Sequence, residues 1–153
     1  MMTFAVSESL SECAQSLDRL RLGKQRVEAY QIWRCLKGIK SGWRNHPAVL
    51  MWKGHECALA MYTNAMIDEW KFRGYRNNME YLPHCKSPEF PWWWGWPPVR
   101  LSHQASLNRK DSEYYHFPRT KYSDYGYVWP SKVRPGLELY EWPKPELVCE
   151  PKN

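Results

Sequence analysis

Three short segments carry residue types that could bind a polyanion or do chemistry on one. Residues 18–28 read Asp-Arg-Leu-Arg-Leu-Gly-Lys-Gln-Arg-Val-Glu. Arg19, Gly23 and Arg26 are spaced four and three apart, so a helix sets them on one face, with Arg21, Lys24 and Gln25 beside it. A glycine inside a helix costs about 1 kcal/mol against alanine. That cost is tolerated where something approaches the backbone closely or where two helices touch. A basic stripe with a small central residue makes a platform for phosphates and bases; the plainer alternative is a solvated charged face.

The second segment, residues 42–47, reads Gly-Trp-Arg-Asn-His-Pro and leads into a helix N-terminus. Free backbone N–H groups there attract anions, and Arg44 and His46 would add donors. A capped turn with a surface tryptophan is the alternative. The third, residues 102–110, reads Ser-His-Gln-Ala-Ser-Leu-Asn-Arg-Lys and is followed by Tyr114, Tyr115, His116 and Phe117. His103, Ser106 and Lys110 share a helical face. Polar donors with a basic end, then adjacent aromatics, suit phosphate clamping by Arg109 and Lys110 with base stacking on Tyr114 and Tyr115. An exposed helix with an aromatic anchor is the competing reading.

Helices must position these residues. The apolar spacing predicts one helix over 7–39, capped by Ser9 or Ser11 with Glu12 placed for a capping box, and ending at Gly38 and the Ser41-Gly42 pair. A second helix is predicted from Pro47, a favoured first-turn residue, to a glycine C-cap at Arg73-Gly74. His55 falls inside it and reads as a packed histidine. Five prolines between 83 and 98, with Trp92, Trp93, Trp94 and Trp96 among them, exclude helix and central strand and predict a loop or extended cover. A third helix is predicted over 99–115, then an irregular aromatic segment. The fold class is therefore mainly α: a compact three-helix bundle with a long Pro/Trp-rich loop and an irregular aromatic C-terminal segment. Residues 1–143 make a single domain and 144–153 a loose tail.

Charge and composition narrow the partner. The net charge is +6, and ten Trp and ten Tyr are more flat rings than a core of 153 residues needs. Together they favour a nucleic acid over an acidic small molecule. The five cysteines are widely spaced without a CxxC pair, which predicts free thiols and neither a disulfide framework nor a zinc site. No signal-peptide pattern and no membrane-length apolar run is visible, so the expected place of work is the cytoplasm or nucleoid.

The order of these pieces resembles the pyrimidine-dimer DNA glycosylases with apurinic-site lyase activity. The pattern runs over 3–118: a basic helix with Arg26-Val27, the His46-Pro47 helix start, Gly54-His55, a long helix closing on Arg73-Gly74-Tyr75, and the His103-Gln-Ala-Ser106 helix with its Tyr-Tyr sequel. The resemblance implies a helical bundle that extrudes a base from duplex DNA and attacks the sugar without metal or cofactor. It also implies an amine nucleophile and a carboxylate. An α-amine suits the first role, since a pKa of about 8 leaves part of it neutral. The family amine belongs to a threonine exposed by loss of the initiator methionine; Thr3 would hold that place if the chain starts at Met2. The family arginine after it is Phe4 here.

The family glutamate lies three residues before the arginine matched by Arg26, and that position is Gly23. Glu28 and Asp18 are the nearest acids, each about 140° away around the helix from Gly23. Lys24, crowded by Arg21 and Arg26, is an alternative imine-forming amine. The resulting expectation is a monomeric DNA glycosylase, with or without lyase activity, for damaged or modified pyrimidines in duplex DNA. Thr3 and Glu28 are its catalytic pair, and Arg19, Arg21, Gln25, Arg26, Arg44 and His46 contact DNA. His103 and Gln104 lie by the flipped nucleotide, with Ser106 on the same helix. A catalytically silent DNA- or RNA-binding domain on the same scaffold is the alternative.

Overall fold

A computed structural model describes residues 1–39, 42–133 and 145–149. They fall into two compact units. One comprises Met1–Thr3 and Glu8–Pro91; the other comprises Phe4–Ser7 and the described residues from 92 onward. The architecture is mainly helical, as the periodicity predicts. Among the described residues there is no strand, only an isolated bridge between Val128 and Cys149.

In the first unit two of the expected helices are each broken in two. The 7–39 stretch forms α1 (Leu10–Ser16) and α2 (Arg19–Leu36). Ser9 caps α1, its hydroxyl accepting the Glu12 N–H at 3.3 Å. Leu17 and Asp18 between the helices are extended. Leu17 has no exposed surface, so burying it turns the chain where local pattern alone would continue a helix. Asp18 stands at the cap of α2 with its carboxylate on Arg21, both oxygens 3.2 Å from Nη1. The second stretch forms α3 (Pro47–Leu50) and α4 (Glu56–Phe72). His46 Nδ1 accepts the Ala48 N–H at 3.0 Å and Pro47 fills the first turn. Gly54, at φ +85°, then breaks the helix in a conformation that L side chains rarely adopt. Gly74, at φ +87°, follows the end of α4 as expected.

Helix α4 packs on α1 and α2, and α3 packs on α2. Leu22, Ala29 and Ile32 of α2 are fully buried, as are Leu59, Tyr62, Met66 and Ile67 of α4, together with Trp52. Each large apolar side chain so buried contributes about 1.5–3 kcal/mol.

After α4 the chain doubles back along that helix as an irregular strap over 76–91. Trp70 Nε1 donates to the Arg76 carbonyl (2.8 Å), and the Tyr81 hydroxyl donates to Asp68 (2.6 Å). The Asn64 amide takes both backbone groups of Leu82 (2.8 and 2.9 Å), much as a neighbouring strand would. Cys57 and Cys85 are joined in a disulfide, and His55 Nδ1 lies 3.1 Å from the Glu89 carbonyl. The spacing predicts free thiols throughout. Cys13, Cys35 and Cys149 form no disulfide among the described residues, but the returning strap brings Cys85 onto the first turn of α4, a pairing that no local motif announces.

The second unit is built on α5 (Pro97–Lys110), with both prolines in its first turn. It stops short of the predicted 115 because the chain turns at Asp111, whose carboxylate accepts the Tyr114 N–H (3.2 Å). Trp93 is core, whereas Trp92 is half exposed and tilted against Trp96, with ring centroids 5.2 Å apart. Within the predicted tail, Pro145–Val148 form one helical turn and Cys149 the bridge to Val128. The rest of that tail, like Ser41, lies outside the described residues. No helix among the described residues is long and apolar enough to cross a membrane.

Candidate nucleic-acid site

The amino-terminal residues of the first unit are threaded into its core. Met2 is buried, and Thr3 has no exposed surface. A connected network holds them. Gln25 Nε2 donates to the Met2 carbonyl (2.7 Å), and the Tyr62 hydroxyl donates to Gln25 Oε1 (3.0 Å). Trp52 Nε1 donates to the Thr3 hydroxyl (2.9 Å). Every polar atom used here is satisfied inside the unit, which fixes the position of the first residues closely.

That placement brings a nitrogen to a carboxylate. The Met2 main-chain N–H donates to Glu28 Oε2 at 3.1 Å. Glu28 lies one helical turn beyond Lys24 on α2, and the Lys24 ammonium stands 3.8 Å from its other oxygen. Lys24 itself is three-quarters exposed, so that ion pair adds little to stability. The chain nitrogen meeting the acid is thus that of Met2. Thr3 lies one residue deeper, with its hydroxyl on Trp52.

The basic face of α2 lies against aromatics of α4 and the strap. The Arg26 guanidinium stacks 4.1 Å over the Trp70 ring, and its Nη1 donates to Asn77 Oδ1 (2.8 Å). Arg19 lies 5.4 Å over Tyr75, and Tyr75 and Trp70 are 4.5 Å apart. Such stacking holds guanidinium planes at fixed places with donors still available. Gly23 sits where a Cβ would come 3.1 Å from the Trp70 ring. The helix-contact explanation of its cost is therefore the one that applies. Gly23→Ala should lose more by pushing Trp70 and the stacked Arg26 than it gains in helix propensity. A fall in melting temperature of about 2–4 °C is expected, corresponding to about 1 kcal/mol in a chain of this size. A rise on thermal melting would contradict this account of Gly23.

Arg44 and His46 flank an open cavity of about 470 Å³ lined by Gly42, Trp43, Arg44, Asn45 and His46. Trp43 is half exposed and edge-on to His46 (5.7 Å).

A family model described as pyrimidine dimer DNA glycosylase matches residues 1–82. The chain belongs to the pyrimidine dimer DNA glycosylase family. The matched stretch holds the buried terminus, all of α1–α4 and the strap as far as Leu82, and membership implies a DNA substrate. Neither a curated protein nor a solved structure matches the chain.

Seen as a DNA glycosylase, the chain keeps Met2, Thr3, Gln25, Glu28 and the Arg19–Arg26 face in one unit, within the family match. The helix carrying His103 lies beyond that match. His103 is fully buried there, its Nδ1 accepting the Ala5 N–H (2.9 Å) between the rings of Phe4 and Tyr127. Burial pushes its pKa down to about 3. Gln104 Nε2 donates to the Val6 carbonyl (3.0 Å), and Ser106 donates to the Tyr127 hydroxyl (2.9 Å). All three side chains thus make internal bonds within the second unit; His103 and Ser106 are buried, and Gln104 is half-buried. Arg109 and Tyr114 are exposed, Arg109 reaching the Ser123 carbonyl (2.8 Å), while Tyr115 is buried. Reading by sequence missed Met2, Trp52, Tyr62, Trp70 and Asn77. An indole or phenol at helical spacing looks like core, and only its hydrogen bond reveals a positioning role.

Proposed function

We propose that this chain is a DNA glycosylase with abasic-site lyase activity, removing damaged or modified pyrimidines from duplex DNA through an amine at its amino terminus. The observation that carries the reading is the Met2 nitrogen held 3.1 Å from the half-buried Glu28 carboxylate, with the Met2 carbonyl fixed by Gln25. Once Met1 is removed, that nitrogen is a primary amine already beside a carboxylate able to take its proton. As the amine forms a bond to the sugar carbon, the glycosidic bond breaks and the base departs. The sugar ring then opens, the C1′–O4′ bond breaking as the nitrogen gives up its second proton to the ring oxygen, and the resulting imine makes the strand labile. The Arg19, Arg26 and Arg44 guanidiniums contact phosphates, and exposed Trp43 offers a face to an unstacked base.

The test is borohydride trapping on duplexes carrying an abasic site or a thymine dimer, using chains that begin at Met1, Met2 and Thr3, with masses checked. A covalent adduct is expected to be strongest for the chain beginning at Met2. An adduct formed by the Thr3 form alone moves the nucleophile to Thr3. If none of the three traps while the duplex is still bound, the enzymatic reading falls and a silent DNA-binding domain is left.

A further inference from the structure

The Cys57–Cys85 pair plays no part in the proposed chemistry, and it ties down a segment whose residues 83–87 are exposed. Up to Leu82 the strap is held by Asn77 on Arg26, Tyr81 on Asp68 and the two Asn64 bonds. Beyond Leu82 the residues from 83 to 87 are exposed, and the disulfide and the His55 contact with the Glu89 carbonyl tie this limb to the start of α4. Cys57 occupies the first turn of α4 (Glu56–Phe72), at the end of the helix that meets the returning strap. Cys85 lies in an exposed stretch, on the side from which an exchanging thiol can approach, and Cys57 is half-buried. Its own N–H lies 3.1 Å from the Cys57 sulfur, so backbone geometry holds the partners together. A sulfur pair that is accessible from solvent is the labile kind, in contrast to disulfides sealed in a core.

We propose that Cys57 and Cys85 form a reversible thiol–disulfide rivet: oxidised, it locks the 83–91 limb of the strap onto α4, and reduced, it lets that limb open. Oxidised glutathione is the oxidant class that balances the step. The Cys85 thiolate attacks one glutathione sulfur and releases a glutathione thiolate. The Cys57 thiolate then attacks the mixed disulfide at the Cys85 sulfur and releases the second. Two protein thiols lose two electrons and two protons, and one glutathione disulfide becomes two thiols. The rivet closes a loop of 28 residues in sequence separation, and ordering such a loop is what the oxidised state supplies.

The full chain tests this without DNA, so the result stands apart from that of the trapping experiment. It is equilibrated in glutathione buffers of graded redox ratio, quenched by alkylation and weighed intact. Trypsin cleavage after Lys86, beside the rivet, is timed in the same samples. The expected result is an oxidised form lighter than the reduced, alkylated one by the mass of two alkyl groups, with Cys57 and Cys85 spared from alkylation, and reverting in reduced glutathione. Cleavage at Lys86 should be roughly tenfold slower in that form, since proteolysis follows local opening. Cys85→Ser should be cut at the fast rate in every buffer, and reduced wild-type chain provides the same comparison without substitution. Three outcomes overturn the proposal: no disulfide at any ratio, a disulfide that reduced glutathione never opens, or equal cleavage rates in both forms.

Discussion

Replacing Glu28 by glutamine should lower strand cleavage at an abasic site, and the yield of the borohydride adduct, by about 10²–10⁴-fold, the usual worth of a positioned acid–base group. The substitution isolates the chemistry. A glutamine keeps an oxygen at the Oε2 position to accept the Met2 N–H, so the threaded terminus stays in place. The Lys24 contact that it neutralises is long and largely solvated, worth little in stability. Melting temperature and duplex affinity are therefore expected to stay near wild type while turnover collapses. Cleavage within about threefold of wild type would remove Glu28 from the mechanism and with it the reason for placing the nucleophile at residue 2. Lys24→Met is the matched control: an exposed alternative amine should be dispensable, and its loss should leave trapping intact.

The second large effect lies in acid. His103 has its folded pKa pushed down to about 3 by burial, against an ordinary value of 6.5. Below 6.5 the unfolded chain binds a proton that the native chain refuses, so stability present at neutral pH is lost as pH falls towards 3. The slope approaches 1.4 kcal/mol per pH unit, or about 3 kcal/mol by pH 4. Protonation would also set an N–H on Nδ1 against the Ala5 N–H it now accepts. The contact that ties residues 4–7 to α5 should fail first. Urea unfolding at pH 7, 5.5 and 4 measures this, with His103→Asn as the comparison. The variant is expected to be less stable at pH 7 but to lose less on acidification, so the two curves converge. Parallel curves would show that His103 does not titrate on unfolding.

Much of this protein could be read directly from its residues. Helical periodicity, the Ser9 cap, Pro47 at a helix start and Gly74 after a helix end are local devices. Each acts within a turn or two of its own position: Ser9, one of the two serines the sequence offers, caps α1, and Pro47 and Gly74 stand where the sequence puts them. The helix breaks at Leu17-Asp18 and Gly54 were harder to see. Asp18 and Gly54 are suitable residues for a boundary, but the apolar rhythm continues across them. Burial of Leu17 against the packed helices decided the first break. Spacing likewise placed Arg19, Gly23 and Arg26 on one face of α2. It could not say that Gly23 exists for Trp70, forty-seven residues on, because the distance between two helices is a property of their packing.

The decisive pairings all join residues far apart in the chain. Met2 meets Glu28 across 26 residues, Gln25 meets Tyr62 across 37, and Cys57 meets Cys85 across 28. Residue type made each a candidate: an acid on a basic helix, a thiol among thiols. The sequence determined which side chains could do chemistry and that helices would carry them. Tertiary structure alone decided which nitrogen reached the acid, because the bonds from Gln25 to the Met2 carbonyl and from Trp52 to the Thr3 hydroxyl, with burial of Met2, fix the terminus against α2. His103 shows the same division in reverse. Its helical face was legible from spacing, but whether that face turned to solvent or to the core was fixed by packing against Phe4 and Tyr127, which no local pattern contains.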